Sequence, residues 1–253
     1  MLEQYIRDRL KEKDILLMTH IVMGYPSFDA SLDVVETMAK AGVDLMELQI
    51  PFSEPIADGP VILAANQKSL EGGATVRRCM DFAREAARRF DIPFLFMSYY
   101  NILHRYGVAR FAGAMAESRM RGAIVPDLPP EEGGEYTAAM ADRNLDPIYI
   151  YAPTTPPDRM AYIDGFARGF IYCVARKGVT GAETDFSTDL ERYLARCRQA
   201  TRLPLAVGFG VKSRADVDFL KGKADIAVVG SQTIRLMDRE GTGAVDGFIR
   251  SLR

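Results

Sequence analysis

The sequence Asp44-Leu-Met-Glu-Leu-Gln-Ile50 is a short, mostly apolar run, as is typical of a strand buried on both faces. It is followed by Pro51-Phe-Ser-Glu-Pro-Ile-Ala-Asp-Gly-Pro60, a loop rich in turn-forming residues. Pro60 suits the first turn of a helix, and the pattern predicts this helix over Val61–Leu70. The segment is therefore a strand–loop–helix unit, the building block of a parallel α/β fold.

The same alternation of an apolar run and a helical pattern occurs eight times along the 253 residues. Helix signals support the intervening segments: a helical stripe covers Ser31–Ala41, Thr188 has capping-box spacing to Glu191, and Ser213 to Asp216 is a weaker start signal. The predicted strands are Ile15–Val22, Asp44–Ile50, Pro93–Tyr99, Gly122–Pro126, Pro147–Tyr151, Gly169–Val174, Pro204–Gly208 and Asp225–Gly230.

Eight such units predict the α/β class, as a (β/α)8 TIM barrel that forms a single domain over residues 1–253. The alternative is an open, doubly wound sheet, which favours a glycine-rich nucleotide-binding turn after the first strand. Met23-Gly-Tyr-Pro26 is not such a turn. The connections after the second and sixth strands are long, and barrel active sites are built from the loops that follow strands.

The composition excludes several classes of protein. Hydrophobic residues at 48% and charged residues at 26% are typical of a globular protein. A net charge of −2 argues against binding of nucleic acid or of an anionic membrane. Three cysteines without metal-ligand spacing, and no signal-peptide or membrane-span pattern, predict a reduced, cytoplasmic protein. Two histidines are too few for a histidine-rich metal centre, so we predict no metal site.

Glu47 lies in the middle of an apolar strand, where a carboxylate is costly unless it is paired or functional. Side chains alternate along a strand, so Leu45, Glu47 and Gln49 share one face, which in a barrel can point into the mouth. An apolar surround favours the protonated form of Glu47 and keeps it usable as a general acid. The alternative is a structural carboxylate bonded to a neighbour.

Asp58 precedes Gly59 and Pro60 at the start of the next helix. It is either an N-cap-like residue or a second catalytic carboxylate close to Glu47.

Glycines cluster late in the chain. Gly208 and Gly210 follow the seventh strand and Gly230-Ser231 follows the eighth, where barrels often bind phosphate through backbone N–H groups and a helix N-terminus. Gly178 and Gly181 lie in the long connection after the sixth strand. The alternative is that all of these glycines form tight turns only.

These motifs, taken in order, resemble those of the tryptophan synthase alpha chain family over essentially the whole chain. The stretch 46–60 is the most specific. The other matching motifs are Gly24-Tyr-Pro26, Tyr99-Tyr-Asn101, Pro126-Asp-Leu-Pro129, Arg176-Lys-Gly-Val-Thr-Gly181, Gly208-Phe-Gly210 and Gly230-Ser231.

The resemblance implies a lyase of tryptophan biosynthesis, which cleaves indole-3-glycerol phosphate to indole and glyceraldehyde 3-phosphate by a retro-aldol reaction. Glu47 matches the general acid/base of the family. Asp58 matches the carboxylate that holds the indole N–H and offsets positive charge on the indolenine. Thr180 matches a lid residue that closes over Asp58. Tyr172, Tyr99 and Gln49 match positions that contact the indole or the rest of the substrate. The positions that match the phosphate-binding residues are Gly181, Gly210, Gly230 and Ser231.

Four positions depart from the usual family pattern. Gln49 stands where glycine is usual, so its side chain is expected to crowd or contact the indole. His20 stands where an apolar aromatic residue is common, Glu54 replaces an aspartate, and Ala175 replaces a serine.

The resemblance also implies a partner, a beta chain that carries pyridoxal phosphate, in an alpha2beta2 heterotetramer. Residues 52–58 and 127–130 match the surface that faces this partner, and this chain itself is expected to hold no cofactor. Two alternatives stay open: a stand-alone lyase, and a weakly catalytic barrel that binds and activates a beta-type partner. A different phosphate-binding barrel enzyme, such as a sugar-phosphate isomerase, does not fit the 46–60 motif.

Overall fold

A closed barrel of eight parallel strands forms the centre of the molecule in the computed structural model, which describes residues 2–175, 188–208 and 210–253. Each strand pairs with the next, and the eighth pairs with the first, so the predicted barrel is confirmed and the open sheet is excluded. The strands are β1 Leu16–Val22, β2 Leu45–Gln49, β3 Phe94–Met97, β4 Gly122–Ile124, β5 Asp146–Tyr151, β6 Ile171–Val174, β7 Leu205–Gly208 and β8 Ile226–Val229.

Helices alternate with the strands, and two of them fill the long connection between β2 and β3. Their buried residues belong mainly to the apolar layer between the strands and the helices. In the described ranges they are α1 Leu2–Arg9, α2 Phe28–Lys40, α3 Pro60–Glu71, α4 Val76–Arg89, α5 Tyr100–Tyr106, α6 Val108–Glu117, α7 Gly134–Asp142, α8 Pro157–Asp164, α9 Thr188–Ala200, α10 Arg214–Leu220, α11 Ser231–Glu240 and α12 Gly243–Ser251.

The local signals in the sequence explain several helix starts. Pro60 is at the first position of α3, where its missing N–H costs nothing. Ser213 and Asp216 form a capping box at the predicted start of α10. Helix α11 begins at Ser231, as predicted, and α9 begins at Thr188.

The inside of the barrel is apolar at its N-terminal end and polar at its mouth. Leu16 and Met18 of β1 and Leu45 of β2 belong to a fully buried inner cluster, which Leu2 and Ile6 of α1 extend below the strands. Because side chains alternate along a strand, the next inward positions towards the mouth are polar. On β1 and β2 they are His20, Glu47 and Gln49.

The N-terminal end of the barrel is held by Asp44, whose side chain is buried. Arg9 and Arg253 each approach it within 3.3 Å, and Lys13 also pairs with it. Its Oδ2 accepts a 3.0 Å hydrogen bond from the N–H of Leu17. One carboxylate thus joins both chain ends to the start of β2.

Candidate active site

A cavity of about 380 Å³ opens at the C-terminal ends of the strands. Its wall includes Glu47 of β2, Asp58 of the following loop and Tyr172 of β6, with Gly210 and Gly230 on the side of β7 and β8. The tertiary structure therefore brings together predicted site residues from distant parts of the chain, at the end of the barrel where such enzymes carry out chemistry.

Glu47 is only 3% exposed, and its carboxylate is paired. Nδ1 of His20 lies 3.1 Å from Oε1 of Glu47, across the β1–β2 pair in which these two residues stand opposite each other. Burial lowers the pKa of His20, but the hydrogen bond and the charge of Glu47 outweigh it, so the pKa is raised overall. Glu47 is thus both bonded to a neighbour and placed at the cavity.

Asp58 does not cap α3, because the N-cap is Gly59 and no side chain bonds there. The capping interpretation is therefore wrong. Oδ2 of Asp58 accepts a 2.6 Å hydrogen bond from the amide of Gln49. Burial raises the pKa of Asp58, against which the Gln49 amide and the charge of His20 favour ionisation.

Gln49 and Tyr99 are both fully buried, and both contact the loop that carries Asp58. The Tyr99 hydroxyl accepts a 3.1 Å hydrogen bond from the N–H of Ala57, and its ring stacks on Phe52 at 5.2 Å between centroids. These two side chains support the loop from behind the cavity wall. Their predicted contact with the indole stays a prediction.

Tyr172 lines the cavity and packs tightly over β7. A Cβ on Gly208 would lie 2.2 Å from the Tyr172 hydroxyl, so a glycine is required there for the ring to take this position. Burial, together with the charges of Glu47 and Asp58, raises the pKa of Tyr172 well above its ordinary value. Its hydroxyl therefore keeps its proton and can donate a hydrogen bond.

The opposite side of the cavity has the features of an anion site. Gly210 has φ +109°, a conformation that favours glycine, and Ser231 begins α11 beside the cavity. Lys212 and Arg235 also line this wall, and our sequence reading missed them. A signal existed for Arg235, which lies four residues after Ser231 and hence on the same helix face.

Thr180 and Gly181 lie outside the described residues. In the ranges that are described, no group of three or more His, Cys, Asp or Glu side chains is arranged to hold a metal ion. Within those ranges, too, no helix is long and apolar enough to cross a bilayer.

The fold and the site define the class of (β/α)8-barrel enzymes with two carboxylates at the mouth. The sequence profile of the family described as "Tryptophan synthase alpha chain" matches residues 6–250. The chain therefore belongs to the tryptophan synthase alpha chain family.

Individual relatives agree with this assignment. The tryptophan synthase alpha chain of Desulforapulum autotrophicum is 64% identical over 252 residues, which cover 100% of both chains. A structure of tryptophan synthase from Mycobacterium tuberculosis has a TM-score of 0.93 at 31% identity, covering 99% of this chain and 96% of that one. A tryptophan synthase complex from Pyrococcus furiosus gives a TM-score of 0.86 at 29% identity, with coverages of 94% and 97%.

Family membership confirms the predicted reaction. The chain is a lyase of tryptophan biosynthesis, and its substrate is indole-3-glycerol phosphate. The resemblance in the sequence had implied the same family and the same reaction.

Proposed function

We propose that Glu47 is the general acid/base of this lyase reaction. It adds a proton at C3 of the indole ring and takes the proton of the glycerol hydroxyl as the carbon–carbon bond breaks. The observation that carries this role is the position of Glu47, a buried carboxylate beside a second carboxylate in the wall of one cavity. Proton transfer by a positioned side chain accelerates such steps by about 10²–10⁴-fold.

Asp58 holds the indole N–H and stays ionised while the indolenine forms. A fixed anion next to a developing cation lowers the barrier, and more so away from water. The amide of Gln49 supports this role, since it donates to Asp58 and stabilises the charged carboxylate. Tyr172, on the same wall, is placed to contact the indole, and Tyr99 and Gln49 hold the loop beneath it.

The phosphate binds at the chain segments that follow β7 and β8. Gly210, Gly230 and Ser231 supply backbone donors and a helix N-terminus, and Lys212 and Arg235 add positive charge to this wall. Gly181 completes the phosphate loop, and Thr180 closes a lid over Asp58; both roles rest on the resemblance alone.

The chain works with a beta chain in an alpha2beta2 heterotetramer, and pyridoxal phosphate belongs to that beta chain. The likeness of our chain to the tryptophan synthase complex from Pyrococcus furiosus supports this assembly. Ile56, in the segment 52–58 that we assign to the interface, is 72% exposed although it is a large apolar residue. Burial of such a side chain against a partner is favourable. Three free, buried cysteines agree with a reducing compartment, and we place the complex in the cytoplasm.

Release of indole from indole-3-glycerol phosphate by the purified chain, with and without a beta chain, tests these assignments. Turnover that needs the beta chain supports the complex. Strong turnover without it favours a stand-alone lyase, and no turnover in either condition contradicts the catalytic roles.

A matched pair of variants tests Glu47 itself. Glu47→Gln is expected to lower kcat by about 100-fold or more while glycerol phosphate still binds. Glu71→Gln, at the exposed end of α3, makes the same chemical change away from the cavity and should leave kcat unchanged. Near-normal turnover by Glu47→Gln would exclude Glu47 as the acid/base.

A further inference from the structure

Two polar side chains stand between the two carboxylates at the mouth. Nδ1 of His20 contacts Oε1 of Glu47 at 3.1 Å, and Nε2 of Gln49 contacts Oδ2 of Asp58 at 2.6 Å. His20 and Gln49 lie on neighbouring strands whose register places Glu47 opposite His20 and Gln49 opposite Val22. His20 and Gln49 are 4% and 0% exposed, so solvent does not satisfy their polar atoms.

The orientation of the Gln49 amide follows from its neighbours. Its nitrogen faces two acceptors, Oδ2 of Asp58 and, at 3.4 Å, Oδ1 of Asn66. Asn66 is itself oriented, because its oxygen accepts from the N–H of Phe52 and its nitrogen donates to the carbonyl of Ile62. The Gln49 oxygen therefore points away from Asp58, and it is buried without a hydrogen-bond partner among the described residues.

His20 has a ring nitrogen that can pair with this oxygen of Gln49. Its Nε2 is buried and also lacks a partner in the described part of the chain. A doubly protonated imidazole has two donors, one for each acceptor: Nδ1–H for Glu47 and Nε2–H for the Gln49 oxygen. Leaving a buried polar atom unpaired is costly, so a small rotation that joins Nε2 to this oxygen is favourable.

We propose that His20, as an imidazolium, is a positioning residue that joins the two carboxylates in one hydrogen-bonded row, Glu47–His20–Gln49–Asp58. This inference rests on the proposed roles of Glu47 and Asp58. It assigns to His20 and Gln49 the task of holding both carboxylates in place and balancing their charge, without contact with the reacting atoms.

The row has a consequence for the reaction. Two carboxylates close together in a buried site resist ionising together, because each raises the energy of the other. The positive charge of His20 reduces this repulsion, so Asp58 can stay ionised when Glu47 has released its proton. One oxygen of Glu47 is held by His20, which leaves the other for the substrate.

The charged and titratable groups around His20 come from several segments. Glu47 is on β2, Asp58 is on the loop after it, and Tyr172 is on β6. Three basic residues share the cavity wall, Lys212 before α10 and Arg235 and Arg239 on α11. On the other side of β1, strand β8 presents only apolar residues. The two carboxylates are thus the anions that stabilise an imidazolium here, and the three basic residues oppose it.

Histidine NMR tests the row directly, because the chain has two histidines and His104 is exposed. In the full chain labelled at histidine, His104 serves as the internal reference. We expect His20 to titrate above its ordinary pKa of 6.5. In Glu47→Gln this pKa should fall by at least about 1, since the opposite charge is lost. A His20 pKa at or below the ordinary value, or one that Glu47→Gln leaves unchanged, would overturn the proposal.

Kinetics separate positioning from a merely structural role. His20→Phe should lower kcat about tenfold or more, with KM changed less than threefold, and should alter the pH profile of kcat. His20→Asn keeps a donor for Glu47 and should recover part of kcat, while His104→Gln is the matched control. Unchanged kcat and pH profile in His20→Phe would reject the row, whereas an active Glu47→Gln would reject the proposed function instead.

Discussion

The amide nitrogen of Gln49 lies 2.6 Å from Oδ2 of Asp58, so the end of strand β2 supplies a hydrogen-bond donor to the carboxylate on the loop that follows it. Gln49 stands at a position where our sequence reading expected a contact with the indole. Its amide stabilises a charged group beside the cavity, and the contact with the indole stays a prediction.

The Gln49–Asp58 bond predicts a pH effect. Burial raises the pKa of Asp58 and the Gln49 amide lowers it, so Gln49→Leu should raise this pKa further. Because Asp58 must be ionised, the acidic limb of the kcat profile should move to higher pH. Activity at neutral pH should fall, and activity at alkaline pH should be nearest to that of the unchanged chain. Gln67→Leu, at an exposed position on α3, is the control. An acidic limb that stays in place would contradict the assignment of this limb to Asp58.

The packing of Gly208 under Tyr172 predicts a steric effect. Gly208→Ala would place a Cβ 2.2 Å from the Tyr172 hydroxyl, and the ring must move into the cavity. We expect a loss of stability of about 1–3 kcal/mol by urea unfolding and a higher KM for indole-3-glycerol phosphate. Gly247→Ala in α12 adds the same methyl group in open space and should be neutral or stabilising. An unchanged KM in Gly208→Ala would show that the ring position does not matter for binding.

The backbone at Gly210 predicts an effect on phosphate binding. Its φ of +109° is strained for a β-branched residue, so Gly210→Val should displace the donors in this wall. Affinity for glycerol phosphate, measured by calorimetry, should fall by about tenfold, which corresponds to about 1.4 kcal/mol. Gly222→Val carries a similar strain, with φ +74°, between α10 and β8 at the opposite end of the barrel. Equal losses of affinity in the two variants would remove Gly210 from the phosphate site.

The ion cluster at Asp44 predicts a stability effect without a catalytic one. Asp44→Asn removes the charge that pairs with Arg9, Lys13 and Arg253. The free energy of unfolding should fall by about 2–3 kcal/mol, because buried charge pairs are costly to break from one side. Asp81→Asn breaks an exposed pair with Arg84 and should cost less than about 1 kcal/mol. A kcat that falls in Asp44→Asn at 25 °C would contradict its purely structural role.

Much of the fold could be predicted because its signals are local. Each of the eight predicted strands overlaps an observed one, and the observed strands are mostly shorter by a residue or more at their ends. Such ends depend on hydrogen bonds to neighbouring strands, which no local pattern specifies. The start of α3 at Pro60 and the capping box at Ser213 were predictable for the same reason, since each depends on residues within one helical turn.

The site was predictable in part. Glu47 was recognisable as a site residue because it is a charged residue within an apolar strand. The glycines after β7 and β8 were recognisable as a candidate phosphate site because they follow the last two strands of a predicted barrel. The function of Asp58 was ambiguous, because the local sequence Asp-Gly-Pro does not distinguish an aspartate that caps the helix from one that does not. Lys212 and Arg235 were missed because basic residues on loops and helices are most often solvated, and only the closed barrel places these two at the cavity.

The sequence by itself determined the barrel, its polar mouth and the family, because hydrophobic periodicity, turn residues and ordered motifs are properties of neighbouring residues. Only the tertiary structure decided which polar groups meet. His20 and Glu47 are 27 residues apart in the sequence, and they touch because the register of β1 and β2 places them opposite each other. A shift of this register by one residue would turn one of the two side chains to the other face of the sheet. The direction of the Gln49 amide likewise follows from Asp58 and Asn66, which the closed barrel and the turn into α3 bring to it.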